Sequence, residues 1–162
     1  MRGLRILLFA IASLPGVLFA IPPLLVWLIW GENLHMDVKR MAVVFSLKPA
    51  SWPMRTWYRK WGGTTFGHVI MTRPEVSKGL LDHEAVHVEQ FDGNALLCLA
   101  LGIAVVVSGR SWVGLAIWGL GPWAQYISAG IVAVLRGESF YRGNANEESA
   151  YSQTREGSHD GK

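Results

Sequence analysis

The chain has 162 residues and a formal net charge of +3, and 51% of its residues are hydrophobic. This length is that of one domain, so a second catalytic module is not expected. The cations lie among tryptophans between two apolar blocks, which fits a lipid headgroup surface better than a nucleic-acid groove. The single cysteine, Cys98, lies in an apolar run, so an internal disulfide is excluded and cysteine-based zinc or thiol chemistry is not expected.

The first apolar block, Ile6–Trp30, contains no charged residue. It is longer than the roughly 20 residues that a helix needs to cross a bilayer. Pro15, Pro22 and Pro23 should, however, kink or break a helix in this block. A cleaved signal peptide is the alternative, but the apolar run continues past the best small-residue site, at Ala20. We therefore expect an uncleaved membrane anchor over residues 1–30.

The segment 31–82 is rich in charged residues and should face water or lie on a membrane surface. Two runs of β-branched and aromatic residues, Met41–Leu47 and Thr64–Thr72, are bounded by Pro and Gly and predict two short strands. The tryptophan- and arginine-rich stretch between them, Trp52–Trp61, suits either the headgroup layer or a basic loop with partly buried tryptophans.

Helices are predicted for most of the remaining chain. Leu80–Phe91 predicts one helix, and the second apolar block, Ala95–Leu135, follows it. Ser108–Ser111 divides this block into a first arm that is short for a full crossing and a second arm that is long enough, so we expect a hairpin that dips into or crosses the bilayer. The segment from Asn144 predicts a terminal helix, and the residues beyond Tyr151 should be disordered.

A metal-binding pattern, His83-Glu84-Ala85-Val86-His87, lies in the first of these predicted helices. Residues four apart share a helix face, so His83 and His87 can place two imidazole nitrogens on one zinc ion. Glu84 projects to the side of the pair, where its carboxylate can hold a zinc-bound water and act as general base. The alternative is a chance match on a buried helix.

Zinc needs at least one more protein ligand while one position stays open for water. Glu147 and Glu148 are the first acids of the predicted terminal helix. Glu147 can equally be the acid of a capping box with Asn144 as N-cap, and spacing alone does not decide between the two roles. The other histidines are expected to be ordinary surface, strand or tail residues: His35, His68 and His159.

The stretch "HEAVHVEQ", preceded by "TTFGHVIMTRPE" and followed after the apolar block by "YRGNANEESAY", resembles the small gluzincin-type zinc metallopeptidase-like membrane proteins. That family combines HExxHxxQ with a later Y-R-x-N-x-x-E-x-x-A-Y segment. The resemblance covers Thr64–Gln90 and Phe140–Tyr151 and implies that Glu147 is the third zinc ligand. Ala145 departs from the pattern, which usually has Pro there. The resemblance further implies that Thr64–Thr72 is an edge strand along which a peptide substrate pairs.

Three further side chains are candidates for supporting roles. Gln90 shares the helix face of the two histidines and should either hydrogen-bond near the ligands or pack. Tyr141 and Tyr151 can each donate to a tetrahedral oxyanion, but tyrosines are common near membrane surfaces. If Glu147 joins the histidines, the block 95–135 must cross the bilayer an even number of times or not at all.

Together, the patterns and the resemblance predict an α+β fold with a zincin-like minimal metallopeptidase core, made of a short β-sheet, the HExxH helix and a glutamate helix, with membrane-embedded helices. Residues 1–30 would form the anchor, residues 31–151 the zincin-like domain including the hairpin 95–135, and residues 152–162 a disordered tail. The chain should be integral to the membrane, and the Lys and Arg count favours a cytoplasmic site.

The predicted function is that of a membrane-associated zinc peptidase. His83, His87 and Glu147 would bind Zn²⁺, and Glu84 would be the catalytic base. A peptide or protein substrate and membrane lipid are the expected partners, and nucleic acid is not. The alternative is a non-catalytic membrane subunit or scaffold that retains the zincin-like fold.

Overall fold

The computed structural model describes residues 14–16, 20–56, 58, 62–141 and 143–156. The described helices are α1 (Ile21–Trp30), α2 (Trp52–Thr56), α3 (Lys78–Val107), α4 (Ser111–Leu135) and α5 (Ala145–Glu156). The described strands are β1 (Gly31–Asp37), β2 (Ala42–Leu47), β3 (Gly63–Phe66) and β4 (Val69–Thr72). The predicted α+β class is confirmed in its coarse form: several helices accompany a small mixed sheet of four strands.

The chain divides into two compact units, and the division falls inside α3, after Val88. We call residues 16–88 the sheet unit, because it contains all four strands. We call the described residues from Glu89 onward the hairpin unit, because it contains the rest of α3 together with α4 and α5.

The sheet has the strand order β1-β2-β4-β3, in which only the central β2–β4 pair is parallel. Every position of β4 is buried, and β2 is buried at all but one position. Alternate residues of these strands point to opposite faces. Phe45 and Val69 accordingly pack with α1 on one face, whereas Val44 and Ile70 pack with Val88 of α3 on the other. The sheet unit therefore has an apolar core on each side of its sheet.

The predicted strand Met41–Leu47 is confirmed as β2, but the single strand predicted over Thr64–Thr72 is wrong. That segment forms the antiparallel hairpin β3–β4, with Thr65 opposite Ile70. Its two-residue turn begins at Gly67, whose φ of +58° is a conformation that glycine adopts without steric cost. The strand β1 was not predicted at all.

Within α3, the predicted helix Leu80–Phe91 and the first apolar arm are one uninterrupted helix of 30 residues. The predicted break at Ser108–Ser111 is confirmed, because α3 ends at Val107 and α4 begins at Ser111. In the hairpin unit the two helices approach closely: a Cβ added at Gly102 would lie 2.7 Å from the Gly114 carbonyl oxygen. Glycine at this position lets the two backbones meet.

Within the described residues, α3 is the one helix that is long and apolar enough to cross a membrane, and its most apolar 18-residue window has a mean hydropathy of 1.8 and is 17% buried. The core helix of a soluble protein can also have this length and composition. Large apolar side chains that are at least half exposed occur on both helices of the hairpin: Leu97, Leu101, Ile103, Val107, Trp112, Leu115, Leu120, Ile131, Val134 and Leu135.

The two ends of the chain are only partly described. Of the predicted anchor, residues 1–13 and 17–19 lie outside the described residues. Pro22 and Pro23 occupy the start of α1, where proline is tolerated, and they do not interrupt that helix. At the other end, α5 continues five residues beyond Tyr151 to Glu156, so residues 152–156 of the predicted disordered tail are helical, and residues 157–162 lie outside the described residues.

Candidate metal centre

The histidine pair lies near the start of α3, in the sheet unit. The hydroxyl of Ser77 accepts a hydrogen bond from the backbone N–H of Leu80 at 3.2 Å, which caps the helix. His83 and His87 then follow one turn apart, with ring centroids 4.9 Å from each other and ring planes at 87°. His83 is buried and His87 is half-buried. The predicted sharing of one helix face by the two imidazoles is therefore confirmed.

Glu84 is held against the strand β3 of the same unit and is only 2% exposed. The Thr65 hydroxyl donates to Glu84 Oε2 at 2.7 Å and also lies 3.1 Å from the Glu84 carbonyl oxygen. A Cβ added at Gly63 would be 2.7 Å from Glu84 Oε1, so glycine leaves the space that the carboxylate occupies. The structure thus provides a buried carboxylate in a defined orientation, which is what a general base requires.

Tyr58 is a second buried polar side chain in this part of the sheet unit. Burial, with a smaller contribution from the nearby Glu84 carboxylate, raises the pKa of Tyr58 well above its usual value. The phenol therefore stays neutral and protonated across the physiological pH range, and it adds no negative charge beside Glu84.

An ion-pair network connects the β1–β2 turn to the first turns of α3. Arg40 bonds the Asp37 carboxylate at 2.5 Å and also pairs with Asp82, the residue before His83. The hydrogen bond from Arg40 holds the pKa of Asp37 below its ordinary value, and the bond to Asp82 raises the pKa of Arg40 further. These contacts join the β1–β2 turn to the helix segment that carries the histidines.

Glu147 lies in the first turn of α5, in the hairpin unit, and is 2% exposed. Asn144 is the N-cap, as predicted, because its Oδ1 accepts a hydrogen bond from the Asn146 backbone N–H at 3.0 Å. The backbone N–H of Asn144 bonds the Tyr141 carbonyl, at 3.2 Å. A capping box would direct the Glu147 carboxylate to that same N–H, so the capping alternative for Glu147 is not supported.

Instead, the Glu147 carboxylate is bonded to α4, because the Tyr126 hydroxyl donates to Glu147 Oε1 at 2.8 Å. The start of α5 is also bonded to α3, because Gln90 Nε2 donates to the Asn146 carbonyl oxygen at 2.9 Å. Of the two roles considered for Gln90, the structure thus shows a hydrogen bond, made to the residue before Glu147. The sequence did not indicate Tyr126, although a tyrosine inside an apolar helix is a signal in itself, because a buried phenol usually finds a hydrogen-bond partner.

His83, His87 and Glu147 form a group that could hold a metal ion. Each offers one ligand atom, and these atoms all lie within 4.8 Å of one another. Two imidazoles and one carboxylate match the chemistry of a catalytic zinc site with three protein ligands, and other divalent transition metals accept the same donors. The residues present therefore fit a metal, and the fit does not specify which one.

The other candidate ligands lie elsewhere. Glu148 is exposed, unlike Glu147. Nδ1 of His35 lies 3.1 Å from the Asn33 carbonyl oxygen, and Nδ1 of His68 lies 2.8 Å from the Met41 carbonyl oxygen. His159 lies outside the described residues. Of the candidate ligands that the structure describes, the metal group contains His83, His87 and Glu147, which are the residues that the motif and the resemblance indicated.

Comparison with known proteins does not place the chain in a family. No family model, curated protein or solved structure matches it. The resemblance to gluzincin-type proteins therefore remains a prediction from the motif segments, and the functional interpretation depends on the geometry described above.

Proposed function

We propose that the chain is a zinc-dependent, membrane-associated peptidase with a zincin-like core of the gluzincin type. The observation that carries the proposal is the group His83, His87 and Glu147, whose ligand atoms lie within 4.8 Å of one another. The buried carboxylate of Glu84, adjacent to His83 in sequence, supports a hydrolytic function over a purely structural metal site.

In this proposal His83, His87 and Glu147 would hold the zinc ion. When bound, zinc polarises a substrate carbonyl and activates water. Glu84 accepts a proton from the attacking water on its carboxylate and returns a proton to the leaving amine. Thr65 keeps that carboxylate in one orientation through its 2.7 Å hydrogen bond, so the base is positioned before a substrate binds.

The strand β3 provides a place for a substrate. It is the last strand in the order β1-β2-β4-β3, and it pairs with β4 along one edge. An extended peptide can add to an outer edge through backbone hydrogen bonds, which gives affinity with little dependence on side chains. Because Thr65 of β3 also bonds Glu84, a peptide on this edge would lie beside the general base.

The continuous helix α3 relates this chemistry to the proposed membrane location. His87 precedes Ala95, the start of the apolar arm, by eight residues of unbroken helix. At a rise of ~1.5 Å per residue, the histidine lies ~12 Å along the helix from that arm. If the arm enters the bilayer, the peptide bond that is cut lies close to the membrane surface.

Glu84→Gln tests the proposal in the full chain purified in detergent. The carboxamide cannot accept the proton, so we expect cleavage of a peptide library to fall by about 100-fold or more while zinc content stays at the wild-type level. The control is Glu89→Gln, an exposed glutamate on the same helix, which should change neither. Wild-type zinc content in His87→Ala would refute the metal site. If the wild type binds zinc but cleaves no peptide, the result would favour the alternative of a non-catalytic subunit or scaffold.

A further inference from the structure

A closed loop of hydrogen bonds joins α4 to α5 inside the hairpin unit. The Tyr126 hydroxyl donates to Glu147 Oε1 at 2.8 Å. The Glu147 backbone N–H donates to the Asn144 carbonyl oxygen at 2.9 Å, and Asn144 Nδ2 donates to the Tyr126 carbonyl oxygen at 3.1 Å. The loop therefore starts and ends at Tyr126, and it includes both the backbone and the carboxylate of Glu147.

One bond of this loop holds the Glu147 carboxylate, and the other two fix the backbone from which it projects. Asn144 is fully buried and Glu147 is 2% exposed, so water does not compete strongly for these groups. A hydrogen bond to a carboxylate is stronger than one between neutral groups, and a low local dielectric strengthens it further. A glutamate side chain otherwise loses considerable rotamer freedom when it is ordered. The phenol of Tyr126 thus orients the carboxylate before any metal binds.

We propose that Tyr126 is the positioning residue for Glu147, through which the apolar hairpin sets the metal affinity of the site. This inference rests on the proposed function, since it takes His83, His87 and Glu147 as the zinc ligands. Tyr126 itself neither binds the metal nor contacts the substrate in this scheme. It belongs to α4, so displacement of that helix would reorient the third ligand.

The test is the zinc affinity of Tyr126→Phe, measured by competition with a chromophoric chelator on the full chain in detergent. The substitution removes one hydroxyl and keeps the ring. Loss of a group that orients a metal ligand typically weakens binding about 10- to 100-fold, and we expect a loss in this range. The matched control is Ser128→Ala, which removes a hydroxyl of the same helix that bonds only the Gln125 carbonyl in the described contacts. Its zinc affinity should stay within about twofold of wild type.

A second readout separates positioning from general stability. Cobalt absorption bands depend on the geometry of the ligand set. At saturating Co²⁺ we expect the visible bands of Tyr126→Phe to shift from those of the wild type, and those of Ser128→Ala to superimpose on them. The melting temperature of the metal-free Tyr126→Phe protein should stay close to that of the metal-free wild type.

Three outcomes would overturn the inference. Wild-type zinc affinity in Tyr126→Phe, with zinc still lost in His87→Ala, would refute the role of Tyr126 and leave the metal site intact. Loss of the metal-free fold in Tyr126→Phe would show that the residue is structural. Absence of stoichiometric zinc from the wild type itself would refute the proposed function and this inference together.

Discussion

The histidine pair and Glu147 are held in position in different ways. In the sheet unit, His83 and His87 need only a capped helix, because a spacing of four residues places them on one face. In the hairpin unit, Glu147 depends on α4: the Tyr126 hydroxyl bonds its carboxylate, and the Tyr126 carbonyl accepts a bond from Asn144, the N-cap of α5. One half of the candidate site is thus encoded by local periodicity, and the other half by tertiary hydrogen bonds.

This difference implies different sensitivities to substitution. Changes near the histidines should alter the chemistry with little change in folding, because the apolar core formed by Leu81, Val88 and the sheet holds the helix independently of the site. Changes around Glu147 should alter stability and metal binding together, because the hydrogen bonds of Asn144 fix the start of α5, from which the Glu147 carboxylate projects towards Tyr126.

Among the substitutions that test this comparison, the largest effect should come from Gly63→Ala in the sheet unit. The added Cβ would lie 2.7 Å from Glu84 Oε1 and would displace the carboxylate. Misplacing a catalytic group by about 1 Å can cost about 100-fold in rate, so we expect a loss of that order with zinc content unchanged. Gly79→Ala is the matched control, since an added Cβ there meets no atom within 4 Å. Equal activity of the two variants would show that the orientation of Glu84 does not matter.

A smaller effect, on stability, is expected for Asn144→Ala in the hairpin unit. The substitution removes the N-cap of α5 and the bond to the Tyr126 carbonyl. Loss of an N-cap alone costs about 1 kcal/mol, so the free energy of unfolding should fall by at least that amount, and zinc affinity should fall with it. Chemical denaturation with and without zinc measures both. If stability falls and zinc affinity does not, the two properties of α5 are not coupled.

The smallest effect should be a change in pH dependence caused by Asp37→Asn. Arg40 lowers the pKa of Asp37 in the folded protein. The ionised carboxylate therefore stabilises the fold at pH values above the pKa that Asp37 has in the unfolded chain. This contribution disappears as the pH falls through the lower pKa of the folded protein. The wild type should therefore melt slightly higher than Asp37→Asn near neutrality, and the two curves should converge in acid. Glu75→Gln, at an exposed acid of the same unit, should follow the wild type. Parallel curves for Asp37→Asn and wild type would contradict the pairing.

The sequence predicted those parts of the fold that depend on local pattern. The β-branched run became β2, the Ser-Gly-Arg-Ser break became the α3–α4 connection, and Asn144 became a helix cap. The site residues on α3 were likewise visible from their spacing. Glu147 required the resemblance, because spacing alone left it between a cap and a ligand.

The missed parts depend on contacts between distant segments. The strand β1 has exposed apolar side chains at Leu34 and Met36 and becomes a strand through its pairing with β2. The β3–β4 hairpin was missed because its turn, Gly67-His68, has only two residues and does not interrupt the strand-like pattern of the segment. Tyr126 was missed because its bond to Glu147 spans 21 residues and no periodicity links the two positions.

The zinc content of four purified proteins tests the central claim most directly: the wild type and the variants His87→Ala, Glu147→Ala and Glu148→Ala. We expect one zinc ion per chain in the wild type and in Glu148→Ala, because Glu148 is exposed and lies outside the metal group. We expect His87→Ala and Glu147→Ala to lose it. Full zinc occupancy in Glu147→Ala, or none in the wild type, would contradict the claim that these three residues form one metal centre.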